Sequence, residues 1–373
     1  MTRFSVIERS AAISPHKRIV TRRAFAAAFV GSASLAVIGC STPGSPAASP
    51  ATSGYGGGIG PAILPTAVSS PVTGKLLIVQ NGNLVTFDLG AMKVETISKF
   101  PKGAYAASPR MSHDRKSLVY TYYVVPTDPK DLGGSDLYVA DAAGANGRLL
   151  RAHPDAGATF EDPEWAADGQ AILATMRQPI YNSQSQYQGE TLSILKVGLD
   201  GADPVTVVKD GLGPATSPDG KHLVYTSVDA KGQPNGLRIG DLNGQNSKDL
   251  LAGASFTFAR APVFSPDGTR IAFAAVPGST PVLPVKVGGA AIPLYEVAEA
   301  HGIPWDIWTV RPDGSDLQRL TNESEDTPTP TWSPSGEWIA FSGEIGLYLV
   351  DAGGKNTIRV STAVSGGGVT WFS

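Results

Sequence analysis

A short string of residues recurs along the chain and limits the folds that the chain can adopt. "FSPDGTRIAFAA" at 264–275 is matched by "TSPDGKHLVYTS" at 216–227 and by "WSPSGEWIAFSG" at 332–343, and looser copies begin at Pro109 and Pro163. Aligned on their prolines, the five copies start 54, 51, 48 and 68 residues apart. A supersecondary unit repeated at about this period predicts a ring or a stack of similar modules.

Each copy predicts four short strands, which we call a, b, c and d. Turn-forming residues separate a from b and c from d, while runs of Val, Ile, Leu, Phe and Tyr form the strands. The chain contains 43 glycines and 29 prolines, and long helical patterns are scarce, which favours an all-β class. Four-stranded units at this spacing are typical of a β-propeller, whose radial closure hides the strand edges.

The two ends of the repeat region complement each other. "VTWFS" at 369–373 has the pattern of a strand a with nothing after it, and "GKLLIVQNGNLVTFDLG" at 74–90 has the pattern of strands b and c with no strand a before them. Joined, they complete one further unit. We therefore predict that residues 73–373 form a six-bladed β-propeller of four-stranded antiparallel blades, closed by the C-terminal strand joining the N-terminal blade.

The first 40 residues have the pattern of an export signal. Arg22 and Arg23 precede an uncharged stretch at 24–39, which ends at Cys40, the single cysteine of the chain. "TRRAF" resembles the twin-arginine export motif and "VIGC" resembles a bacterial lipobox, which implies lipid on Cys40 and anchoring to the bacterial cell membrane or envelope. An ordinary secretory signal is the alternative.

A flexible linker and an acidic domain are predicted to follow the signal. Residues 41–72 are rich in Ser, Pro, Gly and Ala and contain almost no charge, which is typical of a tether. Six of the 30 basic and one of the 33 acidic residues lie at 1–40, so residues 41–373 have a net charge of −8. This balance argues against nucleic acid as a partner, because phosphates require a basic surface.

The repeated strings resemble those of TolB-type propellers. "SPDG" followed by "IAF", and "DIWTVRPDGSDLQRLT" at 306–321, are similar to repeats of that family, which are also found in prolyl oligopeptidase-related proteins. The likeness covers about 74–373 and implies the propeller fold alone, so we expect no counterpart of the N-terminal domain of TolB. "SHDR" at 112–115 and "AADG" at 166–169 depart from the pattern but keep the turn.

The repeated aspartates are predicted to shape turns. Asp168, Asp219 and Asp267 each precede a glycine between strands a and b. Calcium binding is the alternative, although side chains spaced one per blade would face apart and could not converge on one ion. We predict no cofactor.

Antiparallel order places the b–c and d–a loops on one rim, and these are the longer loops. Loops on a rigid scaffold commonly hold binding groups, so we expect the binding surface there. The candidate residues are the aromatics and acids of these loops: Tyr181, Tyr187, Tyr295, Trp305, Glu161, Asp162, Glu325 and Asp326. The alternatives are that the aromatics pack the loops onto the blades and that the acids are solvated turn residues.

The sequence offers little support for an enzyme. It contains no Gly-x-Ser-x-Gly motif, we expect no hydrolase domain after residue 373, and the five histidines show no metal-ligand spacing. No catalytic or metal-binding residue is predicted. We expect a monomeric, non-catalytic protein-binding or scaffolding module with an envelope protein as partner; the alternative is a carbohydrate-active hydrolase or lyase that uses rim carboxylates.

Overall fold

A computed structural model describes most of the predicted domain. It covers residues 72–373 except 129–130, 185, 230–231, 279–285, 288–289, 292–304, 324, 344–345 and 362–367. Arg22, Arg23 and Cys40 of the predicted signal, and residues 41–71 of the predicted linker, lie outside the described residues. Within the described part of the chain, no helix is long and apolar enough to cross a bilayer.

The described chain folds into short antiparallel strands. Blade 1 contains β1 (Lys75–Gln80), β2 (Asn83–Asp88), β3 (Lys93–Ser98) and the last strand of the chain, β26 (Val369–Trp371). Blade 2 contains β4 (Ala104–Met111), β5 (Ser117–Val124), β6 (Ser135–Asp141) and β7 (Arg148–Arg151). Blade 3 contains β8 (Thr159–Trp165), β9 (Ala171–Tyr181), β10 (Tyr187–Gly198) and β11 (Val205–Lys209).

The other three blades repeat this plan. Blade 4 contains β12 (Gly211–Thr216), β13 (His222–Val228), β14 (Pro234–Asp241) and β15 (Lys248–Asp249). Blade 5 contains β16 (Phe256–Phe264), β17 (Ile271–Pro277), β20 (Asp306–Val310) and β21 (Gln318–Arg319), and its long b–c connection includes the small hairpin β18 (Lys286–Val287) and β19 (Ala290–Ala291). Blade 6 contains β22 (Thr329–Trp332), β23 (Trp338–Ser342), β24 (Leu347–Asp351) and β25 (Thr357–Ser361).

The six blades form a ring around their innermost strands. Each strand a contacts the next around the centre, in the order β26, β4, β8, β12, β16, β22 and back to β26. One parallel pair, Ser135 with Thr159, additionally joins the sheets of blades 2 and 3. The predicted all-β, six-bladed propeller is confirmed.

The termini of the repeat region close the ring as predicted. Strand β26 pairs antiparallel with β1, with Leu76 opposite Trp371 and Ile78 opposite Val369. The backbone N–H of Lys75 donates to the carbonyl of Ser373 at 2.9 Å, which continues the ladder beyond the strand. The strand β26 thus covers the edge of β1 that the sheet of β1, β2 and β3 would otherwise expose.

The recurring Ser-Pro-Asp-Gly string forms the tight a–b turn. The Ser265 hydroxyl donates to Asp267 Oδ1 at 2.6 Å, and the N–H of Gly268 donates to the Ser265 carbonyl at 2.8 Å. Gly268 has φ 71°, which glycine adopts without the strain that a Cβ would add. Ser217 and Asp219 repeat the same side-chain hydrogen bond at 2.6 Å, so these aspartates have the structural role that the repeat predicts.

The core lies between neighbouring blades. Strand b is the most buried strand, and every residue from Ile271 to Val276 is fully buried. Two indoles of strand a link adjacent blades: Trp165 Nε1 donates to the Arg110 carbonyl of blade 2, and Trp332 Nε1 donates to the Val263 carbonyl of blade 5, both at 3.2 Å. The tryptophans therefore bury a large apolar surface and satisfy their one donor at the same time.

Candidate functional site in the central channel

The inner strands of four blades share a bulge at a proline. Ser108, Asp162, Gly213 and Ala261 each precede a proline and have φ values of 47°, 46°, 58° and 51°. The a–b ladder shifts register at each of these places. A left-handed residue that is not glycine is strained, and the bulge changes the direction of the side chains beside it. The bulges thus determine which side chains of the inner strands face the centre of the ring.

Arg110 connects three blades at this level. Its Nε lies 3.5 Å from Glu164 Oε2 of blade 3, and its Nη1 donates to the Val369 carbonyl at 3.2 Å and to Thr370 Oγ1 at 3.4 Å in the closing strand. Thr370 Oγ1 in turn donates to the Pro109 carbonyl at 2.7 Å. One guanidinium therefore ties the ring closure to the carboxylate of a neighbouring blade.

A second network runs from the centre towards the rim. Arg177 Nε donates to Glu161 Oε1 at 2.9 Å, and Arg177 Nη1 donates to Glu190. The Thr159 hydroxyl also donates to Glu161 Oε1, at 2.8 Å. Glu161 lies on the inner strand β8, while Arg177 and Glu190 lie on the hairpin β9–β10, so the network links the channel to the b–c loop of blade 3.

The pKa values of Glu161 and of the adjacent Asp162 are shifted in opposite directions. Burial raises the pKa of Asp162, and the charge of Glu161 raises it further, although Arg260 opposes both effects. Burial also disfavours the Glu161 carboxylate, but Arg177 outweighs it and lowers the pKa of Glu161 below the ordinary value. Arg260 belongs to the inner strand of blade 5, so charges from non-adjacent blades influence each other across the ring.

Glu164 has a strongly raised pKa. Burial raises its pKa from 4.5 to about 7, against the opposing effect of Arg110. Its side chain remains 20% exposed, so water and small groups can reach it. A carboxyl with a raised pKa, such as Glu164, can donate a proton or a hydrogen bond to a ligand near neutral pH. A carboxylate with a lowered pKa, such as Glu161, can accept one.

The predicted rim aromatics Tyr181 and Tyr187 lie at the surface above this network. They are 41% and 52% exposed, and their rings meet edge-to-face with centroids 6.1 Å apart. Among the described residues, six of the nine exposed large hydrophobic side chains lie in the b–c hairpins of blades 2 and 3, either on the loop or at the strand ends beside it. We call these six the rim patch: Val124, Val125, Leu132, Ile180, Tyr181 and Tyr187.

The connection between blades 2 and 3 lies between the two hairpins that hold the rim patch. The N–H of Gly157 donates to the Gly133 carbonyl at 2.7 Å. A Cβ on Gly157, which has φ 80°, would lie 3.2 Å from Pro179 and 3.4 Å from Leu132. Gly157 therefore allows this connection to pack closely between Leu132 of blade 2 and Pro179 of blade 3.

The remaining predicted residues have other positions. Trp305 is buried rather than exposed: its ring stacks on Phe258 with centroids 5.8 Å apart, because the apolar indole fills the core beside blade 6. Glu325 is also buried and pairs with Trp305 through backbone hydrogen bonding, while Asp326 beside it is half-buried. Tyr295 lies outside the described residues. The structure thus brings Glu161 and Asp162 together but separates them from Glu325.

Sequence reasoning missed the three arginines of the channel and two of the acids, Glu164 and Glu190. Arg110, Arg177, Glu190 and Arg260 come from three different blades, and nothing in the local sequence relates them. Glu164 follows Pro163 directly, so the residues on either side of the repeated proline were the signal that could have identified it. Among the described residues, no group of three or more His, Cys, Asp or Glu side chains is placed to hold a metal ion.

Solved TolB structures share the fold described above. TolB from Acinetobacter baumannii aligns with a TM-score of 0.58 and 17% identity over 80% of this chain and 66% of that chain. A putative TolB from Agrobacterium tumefaciens aligns with a TM-score of 0.50 and 18% identity over 81% of this chain and 99% of that one. The chain therefore has a TolB-like β-propeller fold.

Curated relatives match the chain over shorter stretches. The uncharacterized peptidase YuxL of Bacillus subtilis is 25% identical over 200 residues, which are 49% of this chain and 29% of the relative. The Tol-Pal system protein TolB of Nitratidesulfovibrio vulgaris is 43% identical over 37 residues, which are 10% of this chain and 8% of that protein. The matches thus span less than a third of the relatives' length. No family model matches the chain.

Proposed function

We propose that this protein is an exported lipoprotein of the bacterial cell envelope whose TolB-like propeller binds a protein partner and catalyses no reaction. The pattern of Arg22, Arg23 and Cys40 supports export and lipid anchoring, and residues 41–72 would hold the propeller away from the membrane. The envelope location would bring the propeller to other exported proteins.

The rim patch is the observation that supports the binding role most directly. Contiguous apolar side chains are uncommon on monomeric surfaces and mark interaction sites. Here Tyr181 and Tyr187 supply rigid aromatic area, and Arg177 and Glu190 of the charged network lie on the same β9–β10 hairpin. An apolar centre with charged groups beside it is the arrangement that protein partners recognise.

Capture from the solubilised envelope tests this role. The full-length protein serves as bait beside a variant that carries Ile180→Ser and Tyr187→Ser. The matched control carries Leu149→Ser and Val205→Ser, which alter equally exposed apolar side chains on the outer strands β7 and β11. We expect a protein that is retained by the wild type and the control and lost from the rim variant. Equal retention by all three baits would exclude the rim patch as the interface.

The channel carboxylates favour one second candidate. Glu164 has a raised pKa and Glu161 a lowered one, which is the division of protonation states that a hydrolase or lyase acting on carbohydrate uses for its acid and base. In that role Glu164 would hold the proton and Glu161 would be the ionised partner.

A direct assay separates the two candidates. The full-length protein is incubated with neutral and uronic-acid oligosaccharides while new reducing ends and unsaturated products are measured, with Glu164→Gln as the comparison. An enzyme would give product that the variant forms at least about a hundredfold more slowly, as loss of a general acid does. Absence of product from every substrate would leave the binding role as the proposal.

A further inference from the structure

A groove of about 430 Å³ lies on the outer circumference between blades 1 and 2, away from the rim patch and the channel. Its volume is within the range of small-molecule sites, about 300–1,000 Å³. One wall is the end of β3, the outermost strand of blade 1, and the following Lys99 and Phe100; the other wall is Tyr120, Tyr122 and Tyr138 of blade 2. Lys99 is the one charged residue that lines it.

Four aromatic rings pack against one another along this groove; Phe100, Tyr122 and Tyr138 are half-buried, and Tyr120 is buried. Phe100 and Tyr122 have centroids 5.2 Å apart with planes at 52°, and Tyr122 and Tyr138 have centroids 5.0 Å apart at 56°. Tyr120 and Tyr138, directly opposite each other on β5 and β6, stack at 5.8 Å and 30°.

The aromatic character of the groove is not a requirement of the repeat. Tyr122 occupies a strand b position at which blades 4, 5 and 6 have Ser227, Ala275 and Gly343, as the b–c registers show. The position therefore accepts very small side chains without loss of the blade. A large half-buried ring at such a position adds a surface that the fold itself does not need.

The groove is preformed. Ser98 Oγ donates to the Gly144 carbonyl at 2.5 Å, which fixes the c–d turn of blade 2 against β3. A Cβ on Gly144 would lie 2.6 Å from that hydroxyl, so a larger residue would push the two walls apart. A Cβ on Gly147 would lie 3.0 Å from the Tyr120 hydroxyl. These close contacts hold the two walls in place, so a ligand would meet little reorganisation cost.

We propose that this groove binds the pyranose rings of a glycan. A pyranose has an apolar face of C–H groups, which stacks on aromatic rings, and an equatorial belt of hydroxyls, which needs donors and acceptors. The half-buried Tyr122 and Tyr138 each supply an aromatic ring together with a phenol oxygen, and Lys99 adds an ammonium donor. Burial and the neighbouring tyrosines raise the pKa of Tyr120 to about 12, so its hydroxyl remains a donor at any physiological pH.

Other ligand classes fit less well. A peptide would need apolar pockets for side chains or a strand edge, and β3 ends within this groove instead of running along it. A phosphate or nucleotide would need more than one basic group, and Lys99 is alone. The inference does not depend on the proposed function, because the residues of the groove and of the rim patch do not overlap.

Saturation-transfer NMR on the full-length protein, in a detergent without a sugar headgroup, tests the proposal. The probes are maltotriose, triacetylchitotriose and trigalacturonate, each at up to about 10 mM, a concentration that reaches weak millimolar sites. We expect saturation transfer to at least one of them. The variant Tyr122→Ser, which has the residue of blade 4 at this position, should weaken that binding at least about tenfold, or about 1.4 kcal/mol.

The control is Tyr187→Ser, which removes a tyrosine from the rim patch and should leave sugar binding unchanged. If Tyr122→Ser fails to fold, selective labelling of tyrosine rings in the wild type replaces it, and the signals of Tyr122 and Tyr138 should shift on titration. The proposal is overturned if no probe shows transfer, if Tyr122→Ser binds like the wild type, or if only tyrosines outside the groove shift.

Discussion

The inner strands of blades 3 and 4, β8 and β12, follow the same backbone path, but β8 carries acidic side chains and β12 carries none. In β8 the sequence "FEDPEW" bulges at Asp162 and places Glu161, Asp162 and Glu164 around Pro163. In β12 the sequence "GLGPAT" bulges at the equivalent Gly213, and every residue of the strand is buried. One strand presents three acids to the centre of the ring, and the next presents none.

This difference shows that the repeat determines the backbone path of the inner strand but not the side chains beside its proline. The proline and the left-handed residue before it set the path of the inner strand in both blades. The positions beside the proline are not fixed by that path, because Leu212 and Glu161 occupy the same place with different chemistry. Charge in the channel is therefore a property of particular blades, which is expected of a binding site and not of a structural repeat.

The largest loss of stability is expected when a charged residue is introduced into β12, the apolar inner strand. Leu212→Glu would bury a carboxylate at a site that is 7% exposed. We expect a loss of about 3–5 kcal/mol in the free energy of unfolding, measured by urea denaturation. Leu212→Met is the matched control and should cost less than about 1.5 kcal/mol. If the glutamate variant is as stable as the wild type, the two strands do not differ as described.

The stability of the protein should depend on the guanidinium of Arg110, which pairs with Glu164 of the charged strand β8. Arg110→Met removes the partner of Glu164 and the hydrogen bonds to the closing strand, and should cost about 2–3 kcal/mol. The loss should be greater at pH 8, where Glu164 is ionised and would be unpaired, than at pH 5, where it is neutral. Thermal unfolding at both pH values measures this, and Arg110→Lys should retain part of the stability. An equal loss at both pH values would contradict the pairing with Glu164.

Glu164 itself should make stability depend on pH. Its folded pKa of about 7 exceeds the ordinary 4.5, so its stabilising contribution is complete below about 4.5 and is lost as the pH rises through 7. Glu164→Gln cannot ionise, so its stability relative to the wild type should increase by about 1–2 kcal/mol from pH 5 to pH 8, a reduced value because the side chain is partly exposed.

Melting temperatures at several pH values would show this trend. Glu337→Gln, which removes an exposed carboxylate, is the control. The turn aspartates Asp219 and Asp267 have lowered pKa values because serine hydroxyls donate to them, so they affect stability only at more acidic pH. A flat difference between the Glu164 variant and the wild type would show that Glu164 is ionised throughout this range.

The smallest effect on stability is expected at the rim. Tyr187→Ser alters an exposed ring and should change the free energy of unfolding by less than about 0.5 kcal/mol. Tyr225→Ser removes a buried ring of strand b and should cost several times more, about 2–4 kcal/mol. Chemical denaturation of both variants measures the contrast. A large loss in the Tyr187 variant would assign that ring to packing and weaken the case for the rim patch.

The fold was predictable because its determinants are local and repeated. The Ser-Pro-Asp-Gly turn, the apolar strand b after it and the incomplete units at the two ends each leave a pattern in neighbouring residues. The candidate site was predictable only in part. Glu161 and Asp162 stand side by side before Pro163, but Arg177 and Arg260 reach them from other strands, and closure of the ring creates that proximity.

For Trp305, the exposure of the side chain could not be predicted from the sequence. Its place at the end of a long loop predicts exposure, yet the chain re-enters blade 5 at that residue and the indole packs on Phe258. Burial at such a junction depends on the register of β20 against β17, which no pattern in the loop reveals. Loop residues next to a strand are therefore the least predictable part of the site.

Closure by β26 also sets an order of events during synthesis. Strand β1 emerges from the ribosome early, but the strand that covers its edge is made almost three hundred residues later. Until then, the backbone groups of β1 that pair with Val369–Trp371 have no strand beside them and are open to pairing with other chains. A truncation of only five residues would make that exposure permanent, so aggregation and proteolysis are its expected consequences even though five of the six blades would be intact.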